Sequence, residues 1–203
     1  YGGLVARSCG LPSIATLHGT RARDYLTETD GVGRRLRLTS GMWVGDTLLT
    51  TRFVAVSKAV ASAFLAHHPR AARRIVVIPN GVAVDAVVPP DAPPDADLRR
   101  ELRIPDSAPV LVNVRRLVPE KDQVTLVPMM TEVLRSHPDA VLIVAGRGDE
   151  GRRIQDAVDR AGLGDAIHLL GLRTDVPALL HLADLVVVSS VSEGFSVAVL
   201  EAM

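Results

Sequence analysis

Two cations stand close together in Asn113-Val-Arg-Arg-Leu-Val-Pro-Glu-Lys-Asp122, namely Arg116 and Lys121. Arginine offers a planar fork of donors and lysine a compact point charge, a combination able to neutralise a diphosphate. The chain has 21 Arg but only two Lys, Lys58 and Lys121, so a lysine here is a departure from its own usage. The same pair also reads as an ordinary solvated loop. A second stretch, Ser189-Ser-Val-Ser-Glu-Gly-Phe-Ser-Val-Ala-Val-Leu-Glu201, is a small polar loop leading into a helix that Ser196 should cap. Exposed amides and the dipole at a helix start attract anions. Glu193 falls in the loop and Glu201 in the second helical turn. Phosphate repels a carboxylate, so these two suit hydroxyl donors such as those of a sugar or a ribose. They read equally as one loop glutamate and one exposed helix glutamate.

Gly146-Arg-Gly-Asp-Glu-Gly151 is a literal GxGxxG after a strand and before a helix. A dinucleotide site also needs an acid at the tip of the next strand. That strand ends Leu169-Leu-Gly-Leu-Arg173 with no acid, and a full strand and helix precede the motif in its domain. The expectation is a tight turn that lets backbone approach a ligand. Its embedded Arg147-Gly148-Asp149 is treated as coincidence. His18, in Thr16-Leu-His-Gly-Thr20, ends an apolar strand and can face a cleft or be structural. His67, His68, His137 and His181 read as surface or helix-end residues, and His168 as packed in a strand. No two histidines have ligand spacing with a carboxylate, so no protein-bound metal is expected.

Such loops need a scaffold, and the apolar runs supply it. Val110–Val114, Ala140–Ala145, Ile167–Leu170 and Leu185–Val188 are continuous rather than alternating, as in strands buried on both faces of a parallel sheet. Asp122–Ser136 and Glu150–Ala161 carry apolar residues at helical spacing. Pro128 falls inside the first and should kink it. Strand, helix, strand, helix is the pattern of a doubly wound α/β domain. Earlier, Ser13–Leu17, Phe53–Val56 and Ile75–Ile78 read as strands, with Ser57 capping a helix over Lys58–His67. Residues 21–50 read as broken helix, Pro79-Asn80-Gly81 as a turn, and Asp175 as the cap of a short helix. Pro89, Pro90, Pro93 and Pro94 exclude regular structure and suggest an extended connector. The expected division is 1–88, a linker at 89–97, and 98–203, giving two facing α/β domains with a ligand cleft beyond the strand ends.

Composition narrows the class. Acidic and basic residues balance at 23 each, which argues against a nucleic-acid partner or a coat for anionic membranes. Apolar residues at 47% allow a core. One cysteine, Cys9, excludes a disulfide framework or a multi-cysteine zinc site. No apolar run approaches the roughly 18–20 residues of a membrane span. No signal peptide is read at the start, so a cytoplasmic setting is expected, with room for peripheral membrane contact. Tyr1 and Met203 suggest a chain cut from a longer one, with both domains incomplete.

Taken in order, TLHG at 16–19, VAVS at 54–57, VIPNGV at 77–82, RLVPEKD at 116–122, GRGDE at 146–150, LLGLRTDVPALLHLAD at 169–184 and SEGFSVAVLEAM at 192–203 resemble the family 4 retaining glycosyltransferases of the GT-B fold. Glu193-x7-Glu201 matches that family's signature. The resemblance implies two Rossmann-like domains, 1–88 on the acceptor side and 98–203 binding a nucleotide-diphosphate sugar. It implies that Arg116 and Lys121 hold the diphosphate, that Glu193 contacts the transferred sugar and Glu201 the ribose, and that the backbone around Gly194, Phe195, Ser196 and Val197 supports the phosphate or sugar. Gly146 would line the donor site, the Arg173 backbone would lie by the base, and His18 would face the donor sugar. It further implies transfer with retention to a sugar, lipid or small-molecule acceptor, without cofactor or metal.

Two positions depart from the family pattern. Arg115 stands where Gly often precedes the arginine, and Ser196 where Gly often follows the Phe. Two other readings stay open on the sequence: a nucleotide-sugar epimerase on the same fold, and an inactive nucleotide-sugar-binding fragment.

Overall fold

The computed structural model describes residues 2–19, 49–84 and 95–203. The chain forms two compact units, Tyr1–Asn80 with Glu193–Phe195, and Gly81–Ser192 with Ser196–Met203. The reading of residues 21–50 as broken helix falls almost wholly outside the described residues, as do residues 89–94 of the expected linker.

The first unit carries helix α1 (Gly2–Ser8) and strands β1 (Ile14–Leu17), β2 (Arg52–Ala55) and β3 (Ile75–Val77). They form a parallel sheet in the order β1-β2-β3. Helix α2 (Lys58–His67) starts where expected, because the Ser57 hydroxyl accepts from the Val60 amide. It packs Val60 and Ala61 on Ala55 and Val56. His68 differs from a plain surface residue, since its ring stacks on Phe64 at 4.6 Å between centroids. The expected turn at Pro79–Gly81 is absent. That segment is irregular, and the Asn80 side-chain amide donates to the Phe195 carbonyl at 2.9 Å.

The second unit begins with helix α3 (Asp95–Glu101). Asp95–Asp97 were expected in the extended linker. Proline breaks a helix only from inside it, and 95–101 contain none. Four parallel strands follow: β4 (Val110–Val114), β5 (Val141–Ala145), β6 (Ile167–Gly171) and β7 (Leu185–Val186). Their order is β6-β5-β4-β7. Alternate residues of the continuous apolar runs serve opposite faces. Val110, Val112, Val141, Ile143 and Ala145 pack with α3 and with helix α6 (Val176–Leu182), through Leu98, Leu102, Leu179 and Leu182. Leu111, Leu142, Val144 and Ile167 pack on the other face, against helix α4 (Leu126–Ser136) and helix α5 (Gly151–Ala161), through Met130, Ile154 and Val158. Each such side chain removed from water contributes about 1.5–3 kcal/mol, which is why both faces stay covered.

Two local expectations change. Pro128 lies in the first turn of α4, which begins at Leu126 after a 3-10 turn over Gln123–Thr125. Amides of a first turn have no partner within the helix, so the missing N–H breaks nothing there. Asp175 precedes α6 but its carboxylate makes no cap; Arg173 holds it instead.

Candidate functional site

In the second sheet the chain leaves β4 for β5 and β6 on one side and returns to β7 on the other. Strand order therefore reverses between β4 and β7. Ligands of open parallel sheets bind beyond the carboxyl ends of the strands at such a reversal. The loops there are the segment after Val114 and the segment after Val186, which contain most of the predicted site residues.

Hydrogen bonds stitch these two loops together. The Asn113 side-chain amide donates to the Val187 carbonyl at 2.8 Å, and Asn113 is fully buried. Ser189 Oγ donates to the Lys121 carbonyl at 2.6 Å. The Val191 amide donates to the Glu120 carbonyl at 3.0 Å. Gln123, 1% exposed, donates through Nε2 to the Arg116 carbonyl at 3.0 Å. Asp122 bends the segment with left-handed dihedrals, φ 43° and ψ 47°, a conformation Asp tolerates. The main chains carrying Arg116 and Lys121 are thus both fixed by buried or half-buried side chains. Arg116 is exposed and Lys121 half-buried. Among the described residues the Arg116 guanidinium has no hydrogen-bond or ion-pair partner.

Sequence reasoning missed Asn113, Gln123 and Ser189. Asn113 carried a signal, as the lone polar residue in Val-Leu-Val-Asn-Val. Gln123 did not, because it reads as an exposed position before a helix.

Ser196 caps helix α7 (Val197–Ala202), its Oγ accepting from the Val199 amide at 3.3 Å. The same oxygen accepts from Arg115 Nη2, so the two departures from the family pattern touch each other. Glu201, half-buried, lies on the wall of a cavity of about 270 Å³ with Val82, Val176, Pro177, Leu180 and Val197. One carboxylate on a largely apolar wall suits a ligand with hydroxyls on one edge and a hydrophobic face.

The glycine motif packs closely against the neighbouring loop. A Cβ on Gly146 would lie 1.7 Å from the Arg115 carbonyl oxygen, and one on Gly148 would lie 2.0 Å from that of Leu117. The Leu117 amide donates to the Arg147 carbonyl at 3.0 Å and the Glu150 amide to the Leu117 carbonyl at 3.0 Å. These glycines let the loop after β5 run against the loop after β4. What their missing side chains accommodate is protein backbone.

Arg173 is engaged by its side chain. The guanidinium donates from Nε and Nη2 to Asp175, at 2.8 and 2.6 Å, and from Nη1 to Glu101, at 2.8 Å. Those bonds hold the Asp175 carboxyl below the usual carboxylate range and push the guanidinium higher still. The side chain links the ends of β6 and α3, leaving its backbone as the part that can meet a ligand.

The first unit gathers a second group. His18 is exposed at the end of β1. A Cβ on Gly194 would lie 1.9 Å from the His18 carbonyl oxygen and 3.1 Å from a Val60 methyl. Glu193–Phe195 therefore sit against the strand ends of that unit, with Phe195 held by Asn80.

Two family models match the chain. The model described as Glycosyl transferases group 1 matches residues 95–203, and that described as Glycosyltransferase Family 4 matches residues 1–86. The 2-deoxystreptamine glucosyltransferase of Streptomyces kanamyceticus is 28% identical over all of this chain and 53% of its own length. The 2-deoxystreptamine N-acetyl-D-glucosaminyltransferase of Streptomyces fradiae is 30% identical over all of this chain and 48% of its own. The chain thus spans about half the length of the curated relatives it matches. Among solved structures, Anabaena HepE in complex with UDP-glucose superposes with a TM-score of 0.78 at 24% identity, over 99% of this chain and 53% of that one. That likeness shows the GT-B fold.

Proposed function

We propose, since this chain belongs to the group 1 glycosyl transferases, that the whole protein transfers a sugar from a nucleotide-diphosphate sugar to an acceptor with retention of configuration. The observation that carries this reading is the pair of hydrogen-bonded loops at the strand-order reversal, with Arg116 and Lys121 on backbone that Gln123 and Ser189 hold. Negative charge builds on a departing nucleoside diphosphate. Preorganised cations stabilise that charge without reorganising as it forms.

Arg116 and Lys121 receive the leaving phosphates. Glu193 accepts from hydroxyls of the transferred sugar, and Glu201 from those of the ribose, with the base reaching the Arg173 backbone. The backbone of Gly194 to Val197 supports the phosphate or sugar, Gly146 borders the donor, and His18 faces the donor sugar. Retention follows from same-face transfer, in which the leaving phosphate helps take the acceptor proton. The two cations carry the charge, so neither cofactor nor metal is required. The setting is cytoplasmic, and peripheral membrane contact would serve a lipid acceptor. The acceptor is a sugar, lipid or small molecule, and 2-deoxystreptamine heads the list to try because two relatives are named for it.

The test is the full-length protein with UDP-, GDP- and ADP-sugars, with and without acceptors. The expected result is nucleoside diphosphate release that depends on acceptor, with an unchanged anomeric centre in the product by NMR. Interconversion of the donor sugar alone would replace transfer with epimerisation. Binding without turnover would replace it with a binding module.

A further inference from the structure

We infer that Asn80 is a positioning residue for the transferred sugar: through the Phe195 carbonyl it sets where Glu193 meets the sugar's hydroxyls. The inference rests on the reading above, in which Glu193 accepts from those hydroxyls. Pro79-Asn80-Gly81 reads as a turn in the sequence, yet its asparagine serves a distant segment. Asn80 Nδ2 donates to the Phe195 carbonyl, 115 residues further along the chain, at 2.9 Å. Glu193–Phe195 fall in the first compact unit, although Ser192 before them and Ser196 after them fall in the second.

Contacts from beyond all three strands of the first sheet seat this short segment. After β1, the His18 carbonyl oxygen lies 1.9 Å from where a Gly194 Cβ would stand. After β2, Val60 in the first turn of α2 puts a methyl 3.1 Å from the same point. After β3, Asn80 supplies the hydrogen bond. These contacts differ in kind. The two at Gly194 are steric and limit how closely the segment approaches the sheet. A hydrogen bond is directional, so Asn80 fixes which way the segment's backbone faces. Glu193 lies two residues before the bonded carbonyl, and planar peptide units leave little slack between them.

Direction matters because epimeric sugars differ only in where one hydroxyl points. A site that hydrogen-bonds a hydroxyl discriminates strongly against a substrate lacking one there. Turning the backbone that carries Glu193 therefore blunts the choice of sugar. The charge of the diphosphate is met elsewhere, by Arg116 and Lys121 on backbone that Gln123 and Ser189 hold. Sugar and diphosphate recognition thus have separate supports.

The test is calorimetric titration of the full-length protein with UDP, GDP and ADP, and with their glucose, galactose, mannose and N-acetylglucosamine derivatives. Asn80→Asp keeps the size of the side chain and replaces its donor with a second acceptor. It is expected to weaken the tightest nucleotide sugar about fivefold, the worth of one neutral hydrogen bond. It should leave the matching diphosphate unchanged and narrow the preference among epimeric sugars. Asn80→Ala should act in the same direction, and Asn80→Gln, with its donor on a longer arm, should recover part of the loss. Lys121→Ala, by contrast, should weaken diphosphate and nucleotide sugar alike. Two results overturn this inference and leave the donor reading standing: Asn80→Asp and Asn80→Ala binding nucleotide sugars as wild type does, or losing nucleotide sugar and diphosphate in equal measure. A wild-type protein that binds none of the diphosphates or nucleotide sugars overturns both.

Discussion

Gln123 and Glu201 illustrate two ways a residue can serve such a site. Gln123 is buried and, among the described residues, its side chain hydrogen-bonds only to the Arg116 carbonyl, so its effect on a ligand passes through backbone position. Gln123→Met keeps the volume and removes that donor. It should lower kcat several-fold while shifting the melting temperature little, because the partner carbonyl belongs to an exposed residue that water can serve. Comparing turnover with thermal denaturation checks this. Glu201 stands on the cavity wall, where a ribose contact would be the same before and during reaction. Glu201→Ala should therefore raise the donor KM about tenfold and leave kcat near wild type. Steady-state kinetics with varied donor decides it, and a fall in kcat with unchanged KM would assign Glu201 to the chemistry instead.

The elements place these residues through backbone contacts that side-chain patterns do not encode. Gly146 and Gly148 allow the loop after β5 to lie against the loop after β4. Gly148→Ala puts a methyl against the Leu117 carbonyl, and backbone cannot rotate away as a flexible side chain can. The expected loss is about 1–3 kcal/mol, the usual range for overpacking, read as a lower midpoint in urea. The link between β6 and α3 gives a pH-dependent prediction. Asp175 titrates below its unfolded value because Arg173 bonds to it. Its contribution is complete above about pH 4, the unfolded carboxylate value, and fades as pH falls through the lower folded value. Arg173→Ala should cost about 1 kcal/mol at pH 7, and the gap from wild type should close in more acidic solution. Thermal melts from pH 7 down to pH 2 test the sign.

At this scale the strands were readable and their order was not. Continuous apolar runs mark strands covered on both faces, and all seven expected strands form within a residue or two. Capping by Ser57 and Ser196 was equally legible, since a lone hydroxyl before an apolar helix has few other uses. Pro128 misled because its effect depends on where the helix begins, which the 3-10 turn before Leu126 decides. Asp175 misled because Arg173, two residues earlier, competes for its carboxylate. The glycine loop is also a seam between two protein loops, a long-range contact with no local trace.

For the whole molecule, a formal charge of zero means that anion binding must come from local placement rather than from an overall field. Diphosphate affinity should then fall with salt as a few-charge interaction does, without long-range steering of association. The central claim is that cations fixed at the strand-order reversal receive a pyrophosphoryl leaving group. The most direct measurement is the single-turnover rate of nucleoside diphosphate release by full-length Lys121→Ala, with donor and acceptor saturating. A rate lower by about 10²–10³-fold, the loss seen when one preorganised charge-stabilising donor is removed, is the predicted result. A rate equal to wild type would contradict the account.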